Sequence, residues 1–232
     1  MNKMSQPNNI KVAILDDHIS ALDSYQMRLA ANKNIEVVAT AHFGDELEEM
    51  LDQHAVDVLI LDVGVPNSAE NRNPYPILHI IPRLREKFPK IHILIISMYE
   101  QPTFVRFLLE AGATGYIVKE DQEAIIRLPE IVTSVSTGGI YLSGRLHNLL
   151  AQTSNEESRT LSRRQQEAIS LITAFPELDT DDLAKRMSVA PSTARNLLSR
   201  AYKRLGVHSR IAAAHRAREL GLQIIFPEEP GK

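Results

Sequence analysis

At 232 residues, 44% hydrophobic and 24% charged, the chain has the size of two ordinary domains and a soluble, globular composition. It has no cysteine, which excludes disulfide staples, thiol catalysis and Cys-ligated zinc together. A formal charge of −3 conceals an asymmetry, because residues 158–220 carry twelve Lys or Arg against six Asp or Glu while residues 1–157 carry thirteen against twenty-one.

The opening MNKMSQPNNIK lacks the apolar stretch of a secretory signal. No apolar run approaches the ~20 residues needed to span a bilayer, so a cytoplasmic protein is expected. Short β-branched runs then alternate with helical patterns. Strands are expected at Lys11–Leu15, Ile35–Thr40, Val56–Leu61, Ile91–Ser97 and Gly115–Val118. The first, third and fourth are almost continuously apolar, as central parallel strands covered on both faces are, whereas Ile35–Thr40 is more mixed and suits a place nearer an edge. Helices are expected near 19–31, 44–54, 77–88, 102–111 and 121–137. Five β/α units predict an α/β fold with a doubly wound, five-stranded parallel sheet. After Gly138-Gly139 the segment GRLHNLLAQTSNEESR begins as a possible helix and ends polar. Beyond it the chain reads as a small all-α domain, with helices at about 162–174, 180–187, 191–205 and 209–220. The expected boundaries are a first domain over 8–140, a linker over 141–157 and a second domain over 158–225.

Polar residues follow the apolar strands at their carboxyl ends, where open α/β sheets collect ligands. Asp16 and Asp17 follow the first strand, Asp62 the third and Lys119 the fifth, while Ser97 closes the fourth. A lone carboxylate after a strand is usually a turn or helix cap. Three carboxylates, a hydroxyl and an ammonium on one rim suit Mg²⁺, which takes oxygen ligands, and an aspartate that accepts a phosphoryl group as an acyl phosphate. Lys119 would neutralise charge on the transferring group.

On these residues, 10–137 resembles the receiver domain of two-component response regulators, a flavodoxin-like fold. The resemblance implies that Asp62, in LDVGVP, takes a phosphoryl group from a sensor histidine kinase. It also implies that Asp17, Asp62 and the Gly64 carbonyl hold Mg²⁺, with Asp16 helping through water. Ser97, Tyr116 (in GATGYIVK) and Lys119 match the family's switch residues. Ser97 and Tyr116 would shift inward and change the face made by the fourth helix, fifth strand and fifth helix. The chain departs from the family pattern in the long loop NSAENRNPYPI after Pro66, which delays the third helix to near Pro76. Met98 replaces a small residue, and Glu120 stands where proline is usual.

The second half holds nine Lys or Arg and no acid between Lys185 and Arg218. A basic helical face is by itself often only a solvated one. Here LSRRQQEAISLI and DDLAKRMSVAPSTARNLLSRAYKRLGVHSR resemble the LuxR/FixJ/NarL-type helix-turn-helix domain. Pro191 opens the recognition helix, and Ala194, Leu197, Leu198, Ala201 and Leu205 form its inner stripe. Ser192, Arg195, Asn196, Ser199, Arg200, Lys203 and Arg204 project elsewhere and are the expected DNA-binding residues, Arg195 and Asn196 reading base edges. Ala190 replaces the usual N-cap serine, a loss of about 1 kcal/mol, and AFPELDTDD is longer than usual.

The resemblance implies a DNA-binding transcription regulator, not an enzyme. Its partners would be a histidine kinase, double-stranded DNA and a second copy of the chain on DNA through SRIAAAHRAREL, with RNA polymerase a further candidate and no membrane. Two rival readings are an interaction protein that works without phosphorylation and an aspartate-based, Mg²⁺-dependent phosphatase. The second wants a DxD arrangement after the first strand, whereas Asp16 and Asp17 are adjacent.

Overall fold

A computed structural model describes residues 9–152 and 161–219. The first part is a parallel sheet in the order β2-β1-β3-β4-β5-β6. Its strands are β1 (Ile10–Leu15), β2 (Ile35–Ala41), β3 (Val58–Leu61), β4 (His92–Ser97), β5 (Gly115–Val118) and β6 (Tyr141–Leu142). β3 is buried along its whole length, as a continuous apolar run requires, and so is β5, while the mixed β2 lies at the edge. The helices are α1 (Ile19–Leu29), α2 (Leu47–Gln53), α3 (Ile77–Lys87), α4 (Pro102–Ala111), α5 (Gln122–Ile126) and α6 (Leu128–Ser136). One face of the sheet buries Val12, Ile14, Ile60 and Ile96 with Leu22 of α1 and Ile131 of α6. The other buries Leu15, Leu61 and Ile95 with α2, α3 and α4.

Three details differ from the sequence expectation. The helix expected over 121–137 breaks at Arg127, because Pro129 lacks an N–H and restarts the helix as an N-terminal residue. The helix expected at 44–54 begins as a 3₁₀ turn over Gly44–Glu46, against which the Tyr75 ring lies; a Cβ at Gly44 would stand 2.2 Å from it. The sheet has six strands rather than five. β6 and the helix α7 (Gly144–Gln152) occupy the start of the segment expected to be linker. Tyr141–Leu142 pairs with Gly115–Tyr116, the Ser143 hydroxyl accepts from the Val118 N–H at 3.1 Å, and Leu146 is fully buried in the core beside α4. The receiver-like unit therefore continues past residue 140. The rest of that linker, 153–157, and the expected boundaries at 8, 158 and 225 lie outside the described residues.

The second part is α8 (Arg163–Ala174), α9 (Thr180–Arg186), α10 (Pro191–Leu205) and α11 (Arg210–Glu219) around one apolar core. Ser162 and Gln165 form a reciprocal cap at the start of α8. The Asp179 side chain caps α9 by accepting from the Asp182 N–H. The turn between α9 and α10 places Ser188 at φ +52°, in the left-handed region. Ala190 provides no side-chain cap to α10. Among the described residues no helix is long and apolar enough to cross a membrane.

Candidate functional site: an acidic rim and a basic helix

Asp16 and Asp62 stand at the ends of adjacent strands β1 and β3, 1% and 5% exposed. The Lys119 ammonium, one residue past β5, lies 2.7 Å from Asp16 Oδ2 and 2.7 Å from Asp62 Oδ2. The strand order causes this, because β1, β3, β4 and β5 are consecutive in the sheet and their carboxyl ends share one rim. Burial pushes the Asp62 carboxyl above its ordinary range, Lys119 pulls it down and Asp16 pushes it up, with a net rise. Burial opposes the Lys119 charge, but Asp62 and Asp16 outweigh it and hold the ammonium charged. The Gly64 N–H donates to Asp62 Oδ1 at 3.0 Å, so the chain just beyond the carboxylate is strapped to it.

Asp17 is half-buried and adds a third carboxylate. His18, which sequence reasoning passed over, joins the cluster: its Nδ1 lies 2.8 Å from Asp17 Oδ1, and its backbone N–H donates to Asp16 Oδ1 at 3.0 Å. One ligand atom from each of Asp16, Asp17, His18 and Asp62 falls within 4.8 Å of the others, a spacing that fits a divalent cation. The string DDH was the available signal. Ser97 is fully buried at the end of β4. Tyr116 is also fully buried, with its hydroxyl donating to the Tyr99 carbonyl, so the inward position expected after phosphorylation is the one the ring occupies here. Met98 points its side chain largely to solvent, 55% exposed.

On α10, Ala194, Leu198, Ala201 and Leu205 are buried against α8, α9 and α11, with Leu197 half-buried. Ser192, Arg195, Asn196, Ser199, Arg200, Lys203 and Arg204 are all exposed. Arg204 nevertheless turns toward α8, its Nη1 donating to Gln165 Oε1 at 3.1 Å, so it braces the domain. Arg195, Ser199 and Lys203 line an open cleft of about 630 Å³ with Thr180, Tyr202 and His208, which sequence reasoning missed.

The family model for the response regulator receiver domain matches residues 12–128, half of the chain. The chain belongs to the response regulators. This response regulator is 30% identical over 174 residues to the oxygen regulatory protein NreC of Staphylococcus carnosus, covering 70% of this chain and 76% of that one. It is 28% identical over 183 residues to the transcriptional regulatory protein DegU of Brevibacillus brevis, covering 77% and 70%. Among solved structures, RcsB of Salmonella enterica serovar Typhimurium bound to promoter rprA with the phosphomimetic BeF3⁻ is similar at a TM-score of 0.60. The two are 22% identical, over 90% of this chain and 98% of that one. That likeness extends the fold agreement across both parts of the response regulator.

Proposed function

We propose that this response regulator is a transcription factor controlled by phosphorylation of Asp62. The observation that carries the reading is the half-buried Lys119 ammonium shared at 2.7 Å between the buried Asp62 and Asp16, on the rim that also bears Asp17. Such a site presents an acceptor oxygen, a cation for the incoming phosphoryl charge and carboxylates for a hard metal ion. Mg²⁺, when bound, would neutralise the transferring phosphoryl group. Asp17, Asp62 and the Gly64 carbonyl are the groups that would hold it, with Asp16 engaged by Lys119. The donor is a histidine kinase. Ser97 and Lys119 serve as the groups that meet the phosphoryl oxygens, and Tyr116 as the aromatic that shifts with Ser97.

The output is DNA binding by α10. Arg195 and Asn196 sit one turn in from its N-terminus and read bases; Ser192, Ser199, Arg200 and Lys203 grip backbone phosphate. Arg204 supports the helix from behind. Homodimers form on DNA through α11, RNA polymerase is a further partner, and the protein works in the cytoplasm as a regulator rather than an enzyme. The domains are a receiver that runs through α7, a linker, and a helix-turn-helix domain from about residue 160, by the extent of their cores.

The test is transfer of label from a cognate kinase in Mg²⁺, followed by DNA binding with and without transfer. Wild type should take up one acid-stable, base-labile phosphoryl group and bind DNA more tightly. Equal uptake by Asp62→Asn would refute the assignment. Unchanged DNA binding after full labelling would favour a regulator that works without phosphorylation.

A further inference from the structure

α8 is buried on every side from Gln165 to Ala174, although Gln166, Glu167, Ser170 and Thr173 are polar. Its apolar positions, Ala168, Ile169 and Ile172, fill the core of the helix-turn-helix half. The helix also packs against α3 of the receiver. Three contacts hold α8 along its length. At its start, Arg163 Nη1 donates to the Glu110 carbonyl at 3.4 Å. In the middle, His79 Nδ1 of α3 lies 2.9 Å from Glu167 Oε1, both side chains nearly buried. At its end, the carbonyl of Ala174 accepts from Asn71 Nδ2 at 3.1 Å and from Asn67 Nδ2 at 3.5 Å. The last carbonyls of a helix have no partner within it, so the receiver here supplies the cap for a helix of the other domain.

The capping asparagines come from the long loop after Pro66, which is folded rather than slack. Pro66 and Pro74 form an antiparallel bridge, the Asn67 N–H donates to Asn73 O at 2.9 Å, and the Tyr75 N–H donates to Val65 O at 3.0 Å. Asn67 is itself 4% exposed. Its backbone begins only five residues beyond Asp62, whose Oδ1 accepts the Gly64 N–H at 3.0 Å. A phosphoryl group on Asp62 changes the acceptor of that N–H and loads the strap at its root.

We propose that the Asn67–His79 segment is an interdomain clamp on α8 whose grip depends on the state of Asp62. The clamp is a second outlet for the phosphoryl signal, separate from the face of α4, β5 and α5. The seam is suited to reversible docking. Its α8 side carries polar groups that water satisfies when released, as in transient interfaces. Burial pushes the Glu167 carboxyl up, but hydrogen bonds from His79 and Arg164 prevail and hold it below its usual range. Among the described residues α10 packs chiefly on α8, α9 and α11 and its reading face is exposed, so the clamp fixes where the DNA-binding half points rather than covering that face. The coupling to Asp62 rests on the phosphoacceptor reading above.

Because the chain has no native cysteine, spin labels can be placed at will. The test uses the full chain with cysteines at exposed Glu123 of α5 and Lys185 of α9, and reads their separation by pulsed electron resonance. One narrow separation is expected without phosphoryl mimic, and its loss in Asn71→Ala/His79→Phe. Glu167→Lys is a second variant, since it alters a face that undocked α8 shows to water; thermal melting of each variant checks that both halves stay folded. Beryllofluoride with Mg²⁺ should also abolish the single separation, with binding followed by fluorine resonance. Folded clamp variants that keep the narrow separation overturn the clamp. Bound beryllofluoride with the separation unchanged overturns the coupling to Asp62 alone. No bound fluoride and no kinase label at Asp62 refute the phosphoacceptor reading, and the coupling with it.

Discussion

Replacing Lys119 by Met removes the one ammonium that two buried carboxylates share. Each contact is 2.7 Å long, with side-chain exposures of 14% for Lys119, 1% for Asp16 and 6% for Asp62. At an effective dielectric of about 20, each contact is worth about 6 kcal/mol of gross attraction. Desolvation of the ions cancels several kcal/mol of that, but the variant recovers only the lysine's share and strands both carboxylates. Breaking a buried pair this way costs about 3–5 kcal/mol. Urea unfolding at pH 8 in a chelating buffer should show that loss, and added Mg²⁺ should return part of it by supplying positive charge to Asp17 and Asp62. The pH dependence has a definite sign. In wild type the Asp62 carboxyl is raised by burial against Lys119, so its stabilising protonated form is lost as pH rises through the folded value. Without Lys119 that value climbs further, so the deficit should shrink on acidification and widen toward pH 8. A loss below about 1 kcal/mol, the worth of an exposed pair, with no pH trend, would refute the buried-charge reasoning.

Asn196→Ala should cost about 1–3 kcal/mol on the preferred site and much less on random DNA, measured by affinity at one salt concentration. Lys203→Ala should weaken all sequences alike and flatten the plot of log affinity against log salt by about one unit. Arg204→Ala should lower the melting temperature of the DNA-binding half while leaving base preference unchanged, because the side chain braces Gln165. Leu146→Ala should destabilise the receiver by about 2–5 kcal/mol in urea unfolding, as truncation of a fully buried leucine does, and a value near zero would remove α7 from its core.

The fold was legible where one periodicity spoke alone. β3 is apolar at every position because both faces are covered, and a run as short as VLIL suits a strand rather than a helix. The acidic rim was legible for the same reason: once five strands are placed, their carboxyl ends are placed, and Asp16, Asp62, Ser97 and Lys119 go with them. β6 was not legible, because two residues carry no period and Tyr141–Leu142 becomes a strand only through pairing with β5. His18 was missed because a histidine beside two aspartates has no periodicity to mark it; only the closed rim brings its ring to Asp17.

The seam shows a deeper limit. Glu167 is a charged residue on a helix whose apolar positions fill the core of its own domain, so its polarity reads as solvent exposure. Its partner is His79, eighty-eight residues earlier, and the carbonyl that ends α8 is capped from a loop more than a hundred residues earlier; no pattern within either segment announces the other. The loop itself was visible as a departure from the family, yet nothing in it marked Asn71 as a cap for a distant helix, because its side chain also closes a local turn by accepting from the Asn73 N–H. A polar residue that closes a turn and caps a distant helix carries one signal for two roles. Sequence pattern reports the local role, and only the packed chain reports the other.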